Sequence, residues 1–305
     1  TIWGGELEVF CAGNDGTIRF LERLIDEVCE LFPFAYVHIG GDECPKGAWK
    51  KCPKCQARIK ANGLKDEDAL QAWVPRHFTD YLAKKGRRAV GWDEVVAGNP
   101  GKETVIHAWH IEHEGKFGLL AAEAGYPTIV SDLLRTYFSV PQGVEDDPFT
   151  YLSPGMKVSL AQSYDFDPYR GMTPAARKNV IGAECCMWSE CTWNLYDLEW
   201  KLYPRLCAFA EAVWTAPAAP RDFADFERRM AVHRKRLIKA GVNCVRVPVS
   251  GYLKLIWKTD EQARRVDLAW QKAMDRCWSP KTSLVYTCTP DHVKPAREFD
   301  DGPGY

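Results

Sequence analysis

Asp42 and Glu43 stand side by side after two glycines in the stretch YVHIGGDECPKGAWKKCPKCQ, which runs from Tyr36 to Gln56. Adjacent carboxyl groups where a short apolar run ends can supply one ligand with both a proton donor and an anion. Taken alone, such a pair is usually a solvated turn. Three cysteines follow, Cys44, Cys52 and Cys55. Structural zinc needs four ligands, and no histidine or fourth cysteine nearby in sequence completes the set. Cys11 is the residue that folding could add. A disulfide or free thiols fit these cysteines better, so no metal ligand and no cofactor is assigned. His38 lies inside the apolar run, where a hydrogen-bonded structural histidine is the simpler reading.

Elements must exist to carry these side chains. NDGTIRFLERLIDEVCELF reads as an amphipathic helix, with Ile18, Leu21, Leu24, Ile25, Val28 and Leu31 at helical spacing and Asn14 or Asp15 as its cap. Pro33 ends it and FAYVHIGG follows as a short strand. The alternation then continues: a helix through LQAWVPRHFTDYLAKKG, strands at RRAVGWDEV and TVIHAW, a helix at KFGLLAAEAG and a strand at YPTIV. A short helix at TPAARKN, a strand at VIGAECCMW, and two long helices, DLEWKLYPRLCAFAEAVW and DFADFERRMAVHRKRLIKAG, close the series. Strands alternating with helices imply an α/β fold with parallel pairing and right-handed crossovers. The five strands fit either an open doubly wound sheet or part of an eight-stranded barrel. No glycine-rich phosphate loop follows any strand, which weakens the nucleotide-binding sheet. Residues 244–305 differ in character and form a separate extension; residues 1–243 form the main domain.

The bulk properties exclude several classes. A formal net charge of -1 over 305 residues gives no field for nucleic acid or an acidic membrane surface. No apolar run is long enough for a membrane span. Twelve cysteines fall well below the density of a disulfide scaffold, and Cys29, Cys185, Cys186 and Cys207 sit in apolar patterns as small buried hydrophobes. The chain starts TIWGG, without an initiator methionine, so a processed or partial chain is expected.

Catalysis in barrels and open α/β sheets sits at the carboxyl ends of the strands. Those ends bring Asp42 and Glu43, then Trp92, Asp93 and Glu94, then Trp109 and His110, then Asp132 and Tyr137, and finally Trp188 and Glu190. A tryptophan near a strand end is more often core than platform, yet acids and flat aromatics recurring at several ends suit a carbohydrate pocket.

HIGGDE at His38 to Glu43 resembles the signature of the family 20 glycoside hydrolases, the β-N-acetylhexosaminidases. The likeness continues in order through CAGND, GWDEV at Gly91 to Val95, SYDFDP at Ser163 to Pro168, MWSE at Met187 to Glu190 and YPRLCAFAEAVWT at Tyr203 to Thr215, spanning about Cys11 to Gly241. The resemblance implies a (β/α)8 TIM barrel, here incomplete, with HIGGDE ending the fourth strand. The three opening strands, and an arginine that holds sugar hydroxyls, are not in this sequence.

The resemblance also implies an exo-acting enzyme that releases terminal β-linked GlcNAc or GalNAc without a metal, and an exported location, secreted or periplasmic. It gives Glu43 the general acid role, Asp42 the acetamido partner and Tyr137 a hydrogen bond to the acetamido carbonyl. Trp92, Trp109 and Trp188 would wall the pocket and Glu190 would bind a sugar hydroxyl. Two positions depart from the family. Ser139 replaces a common aspartate and Phe166 a frequent tryptophan, and both changes bear on recognition of O4 and O6 rather than on the chemistry. Glycosidases of this kind are substrate-assisted: the sugar's own acetamido oxygen is the nucleophile. Two rivals remain at this point: a carbohydrate-binding homologue without activity, and a zinc-stapled interaction domain.

Overall fold

The computed structural model describes residues 9–111, 116–142, 157–189, 192, 194–216 and 219–244. Of the expected extension, 244–305, all but Cys244 lies outside the described residues, as does Glu190.

One five-stranded parallel sheet organises the described chain. The strands are β1 (Tyr36–His38), β2 (Arg88–Trp92), β3 (Val105–Ala108), β4 (Thr128–Val130) and β5 (Val180–Ala183). They pair in chain order, each beside the next, and all in parallel. The order of these described strands contains no reversal of the kind at which doubly wound sheets bind ligands. β3 is buried along its whole length, whereas Tyr36 in β1 and Ile181 in β5 are exposed.

Helices cross between the strands. α1 (Asp15–Leu31) starts where the Asn14 side chain accepts the Gly16 N–H, the cap expected from sequence. Its apolar stripe is only partly covered: Ile18 is buried, but Leu24 and Leu31 are exposed. α2 (Gly47–Lys51), α3 (Pro53–Ala61) and α4 (Glu67–Lys84) separate β1 from β2. α4 runs through Pro75, and the Thr79 hydroxyl donates to the Pro75 carbonyl. α5 (Phe117–Glu123) links β3 to β4, while α6 (Leu133–Thr136), α7 (Leu160–Tyr164) and α8 (Pro174–Arg177) lie between β4 and β5. After β5 come α9 (Leu195–Leu202), α10 (Arg205–Trp214) and α11 (Phe223–Lys239).

The single long helix expected across residues 197–214 is in fact two. It breaks at Tyr203–Pro204, a cis peptide bond, because proline lacks the N–H that a continuous helix requires there. The main core packs Ala108, Val130, Phe138, Phe166, Phe209 and Ala212 between sheet and helices.

Candidate active site at the carboxyl ends of the strands

The loop after β1 has an unusual backbone. Gly40 and Gly41 have φ of 69° and 106°, and Glu43, which has a side chain, sits at φ 43°. Glycine takes these values freely; a glutamate in the left-handed region is held there at a cost, a feature that gathers at functional sites. At Gly41 a Cβ would lie 2.4 Å from Val95 Cγ1, so the loop also presses closely on the turn after β2. Gln71 of α4 donates to the Gly41 carbonyl at 3.0 Å.

β2 runs directly into a 3-10 turn, Asp93–Gly98, which delivers two carboxylates with different tasks. Asp93 is fully buried. Its Oδ2 accepts the backbone N–H groups of Trp109 and His110 at 3.0 and 2.8 Å, and its Oδ1 lies 2.7 Å from His110 Nδ1. It therefore fixes the chain as it leaves β3. Glu94 bridges the neighbouring ends: Oε1 accepts the Glu43 N–H at 3.4 Å and Oε2 accepts the Trp109 indole N–H at 3.1 Å.

Beyond β4, Tyr137 pairs with Cys186 beyond β5 in a further parallel bridge. This brings Trp188 within 6.1 Å of the Tyr137 ring, and Trp92 within 5.7 Å of Trp188. Trp109 stacks near Tyr137 at 6.3 Å. Trp92 also stacks on His107 at 4.2 Å, and His38 packs against both rings. Four aromatic rings from four strand ends thus form one continuous cluster. A separate cavity of about 400 Å³ opens behind the β1 loop, lined by Asp42 and Glu43 together with residues of α1 and α4; the four rings do not line it.

Behind Tyr137 lies a buried guanidinium. Arg205, 0% exposed, donates to the carbonyls of Phe138, Val140, Val158 and Lys201 at 2.6 to 3.1 Å. It holds together both flanks of the segment after Tyr137 and the start of α10.

The acids share a direction. Burial, and then the charge of Asp93, pushes the half-buried Asp42 up. Partial desolvation, and then the Asp42 charge, lifts Glu43, although Glu43 keeps contact with solvent. Burial lifts Glu94 to about 7. Burial works against a charged His110, but the Asp93 hydrogen bond and charge outweigh it and raise the imidazole. Burial pushes the Tyr137 phenol strongly up, so it stays a hydrogen-bond donor. A site with these acids can hold and release a proton near neutrality, and its rings can stack on a sugar face.

Of the residues expected here, Asp42, Glu43, Trp92, Trp109, Tyr137 and Trp188 come to the same end of the sheet. Phe166 does not join them. It is 1% exposed and packs on Phe209 at 5.4 Å, because the segment after α7 turns into the main core. Ser139 is 7% exposed, and its hydroxyl has no hydrogen-bond partner among the described residues. Cys44 also stands apart from the thiols that gather, which are Cys11, Cys52 and Cys55.

Asp93, Glu94 and His110 were visible at strand ends but had no assigned role, since their importance lies in hydrogen bonds across strands. Arg205 had one available signal, an arginine opening an otherwise apolar helix.

The chain matches the glycosyl hydrolase family 20 catalytic domain over residues 1–217. It is 39% identical to a β-hexosaminidase of Porphyromonas gingivalis, across 79% of this chain and 31% of that protein. It is 33% identical to a β-hexosaminidase of Vibrio furnissii, across 64% of this chain and 32% of that one. A crystal structure of a family 20 exo-β-N-acetylglucosaminidase from Vibrio harveyi, in complex with N-acetylglucosamine, superposes with a TM-score of 0.66 at 32% identity, covering 77% of this chain and 37% of that one. The chain thus spans about a third of the length of these relatives. Its ordered strand ends and these matches agree: the chain belongs to glycosyl hydrolase family 20.

Proposed function

We propose that this protein is an exo-β-N-acetylhexosaminidase that hydrolyses terminal β-linked GlcNAc or GalNAc with retention, through an oxazolinium intermediate. The observation that carries the reading is the Asp42–Glu43 pair, tied through Glu94 to Trp109 and hence to the aromatic cluster. Names of the relatives support it as well.

In the first step the acetamido carbonyl oxygen of the substrate attacks C1 as the glycosidic C–O bond breaks. Glu43 gives its proton to the departing oxygen. Asp42 accepts the acetamido N–H and balances the positive charge that grows on the ring being formed, while the Tyr137 hydroxyl donates to the attacking carbonyl. The upward shift of Asp42 belongs to the free site; an N–H donated to its carboxylate favours the charged form. In the second step water attacks C1, Glu43 takes the water's proton, and the acetamide is restored. Two inversions give net retention. Trp92, Trp109 and Trp188 wall the sugar, and Ser139 and Glu190 address its hydroxyls.

We further infer that the five strands belong to a (β/α)8 barrel whose remaining strands cover the β1 and β5 edges. The unreversed parallel order and the exposed Tyr36 and Ile181 support this.

A leaving-group series tests the roles. Glu43→Gln should cost on the order of 10²–10⁴ in kcat/KM for aryl β-GlcNAc substrates whose leaving group needs a proton. The loss should shrink for nitrophenolate. Asp42→Asn should slow good and poor leaving groups alike. The opposite pattern would reverse the assignment, and unchanged rates in both variants would refute the catalytic roles of Asp42 and Glu43.

A further inference from the structure

Three sulfurs meet at the start of α3, and none of them has a substrate role assigned above. Cys11 Sγ lies 3.5 Å from Cys52 Sγ and 3.8 Å from Cys55 Sγ, and all three lie within 4.8 Å of one another as free thiols. We propose that Cys11, Cys52 and Cys55 form a binding site for a thiophilic divalent cation, with Zn²⁺ the best chemical fit.

The geometry comes first. Zinc–thiolate bonds of about 2.3 Å at the tetrahedral angle separate the sulfurs by about 3.8 Å. The two separations from Cys11 match that edge. A disulfide would use two of the sulfurs and leave the third idle; a metal uses all three.

The backbone is also shaped around the sulfurs. Cys52 occupies the N-cap of α3 and Pro53 opens that helix. The loop carrying Cys11 lies flush on this turn. A Cβ at Gly13 would fall 2.1 Å from the Lys54 carbonyl carbon and 2.3 Å from the Cys55 nitrogen, so only glycine allows the approach.

Other contacts set the same two segments together. The Trp49 indole donates to the Phe10 carbonyl at 2.9 Å, and Arg58 pairs with Asp15 at 2.5 Å. The thiols therefore occupy a preformed corner. Cys55 is buried, while Cys11 and Cys52 are half-exposed, which leaves a path for a cation. Cys44 packs against the same cluster, but its sulfur lies 4.0 Å from the Pro45 carbonyl and outside the group of three. Among the described residues no fourth ligand joins these three, which leaves the fourth vertex to a solvent-derived ligand.

The site would tie the segment before α1 to the segment that leaves the Asp42–Glu43 pair. Its chemistry is independent of the proposed hydrolysis.

Protein purified anaerobically and reduced should bind one Zn²⁺ per chain at this site and release protons as it does so. Co²⁺ in place of Zn²⁺ should give thiolate-to-metal charge-transfer absorption and the visible bands of a tetrahedral ion. Cys52→Ser and Cys11→Ser should each abolish that charge-transfer band at equal protein and Co²⁺ concentrations, whereas Cys29→Ser and Cys44→Ser should keep it. Cys52 is half-exposed, so its variant should fold, which circular dichroism can check. The proposal is overturned if the reduced protein shows no cobalt–thiolate band, or if Cys11→Ser and Cys52→Ser bind as the parent does. It is equally overturned if peptide mapping finds a Cys11–Cys52 disulfide in protein that takes up no metal after reduction. Loss of the band in Cys44→Ser would overturn the assignment of the three-sulfur site.

Discussion

The loops after β1 and after β4 both deliver residues to the candidate site, and they are held by different means. Tyr137 is buried, paired with the β5 extension, and backed by Arg205, whose guanidinium gathers four carbonyls. Glu43 is exposed; its N–H makes one long hydrogen bond to Glu94, and its position comes from positive φ values at Gly40, Gly41 and Glu43 itself. The β4 loop is backed by one buried cation, whereas the β1 loop combines positive-φ backbone with hydrogen bonds from Gln71 and Trp92 to its two glycine carbonyls. The difference suits the tasks proposed for Tyr137 and Glu43, while Asp42, which also orients the acetamide, shares the Glu43 loop but is half-buried. A group that orients a neutral acetamide gains from rigidity, because misplacement costs rate steeply. A proton donor must reach the leaving group and later water, so it needs access.

Removing each kind of support should separate the two loops. Arg205→Ala should have the largest effect on folding. It leaves several buried carbonyls without a donor, a loss on the order of 3–5 kcal/mol. Arg205→Lys should recover little, since one ammonium cannot reproduce the planar fork. Urea unfolding measures both; a loss below about 1 kcal/mol for Arg205→Ala would mean that the carbonyls find other partners.

Gly41→Ala should come next, at about 1–3 kcal/mol, because it combines a φ of 106° with a contact of 2.4 Å to Val95. Adding Val95→Ala relieves the contact but not the dihedral, so the double variant should recover only part of the loss. Full recovery would show that crowding, not conformation, sets this loop.

The contrast between these loops also marks what could be read from sequence. Periodicity is strong in α1 and α11, and both stand where the apolar spacing puts them. Strand order follows from the βα alternation. α2 and α3 escape notice because GAWKK and PKCQARIKA carry mostly polar residues with a cysteine-proline start. Pro204 was visible, but a single proline in an apolar run does not say whether a helix kinks or stops. Within the site, strand-end positions in the sequence bring Asp42, Glu43, Tyr137 and the tryptophans to one end of the sheet, where the structure also places them. Sequence cannot rank Phe166 as core, because a lone aromatic after a helix suits pocket and core equally. Nor can it show that Cys11, 41 positions from Cys52, closes on it. Such contacts depend on packing that no local pattern encodes.

Glu94 links the loops through Glu43 and Trp109, and its ionisation should register in stability. Burial raises its folded-state value to about 7 from an ordinary 4.5. A raised carboxyl is favoured in its neutral form in the folded state. Its contribution to stability is therefore complete below about pH 4.5 and declines as pH rises through about 7. Glu94→Gln, which cannot ionise, should lack that decline. The Tm of the variant relative to the parent should rise between pH 4.5 and pH 7.5, by about a few degrees. A difference that stays flat over this window would show that Glu94 ionises in the folded protein as freely as in the unfolded chain.

Ser139 offers the smallest and most diagnostic change, because it lies on the rigid loop. Its hydroxyl is buried and has no partner among the described residues. A buried hydroxyl without a bond is a cost to folding, so Ser139→Ala should leave stability unchanged or raise it, by no more than about 1 kcal/mol. If the hydroxyl serves a sugar, the same variant should lose a hydrogen bond only when substrate is present. The expected loss is about 0.5–1.5 kcal/mol in kcat/KM, and it should differ between GlcNAc and GalNAc substrates, whose O4 orientations differ. Ser139→Asp should widen the preference between the two sugars, since a carboxylate makes the stronger bond to a hydroxyl. It should also lower stability in the absence of ligand, because a charge replaces a neutral group in a buried place. Stability and selectivity then move in opposite directions in the two variants, a pattern that core packing alone does not produce. If the ratio of kcat/KM for the two sugars is the same in Ser139→Ala, Ser139→Asp and the parent, Ser139 does not touch substrate and its hydroxyl is a packing residue of the loop that Arg205 holds.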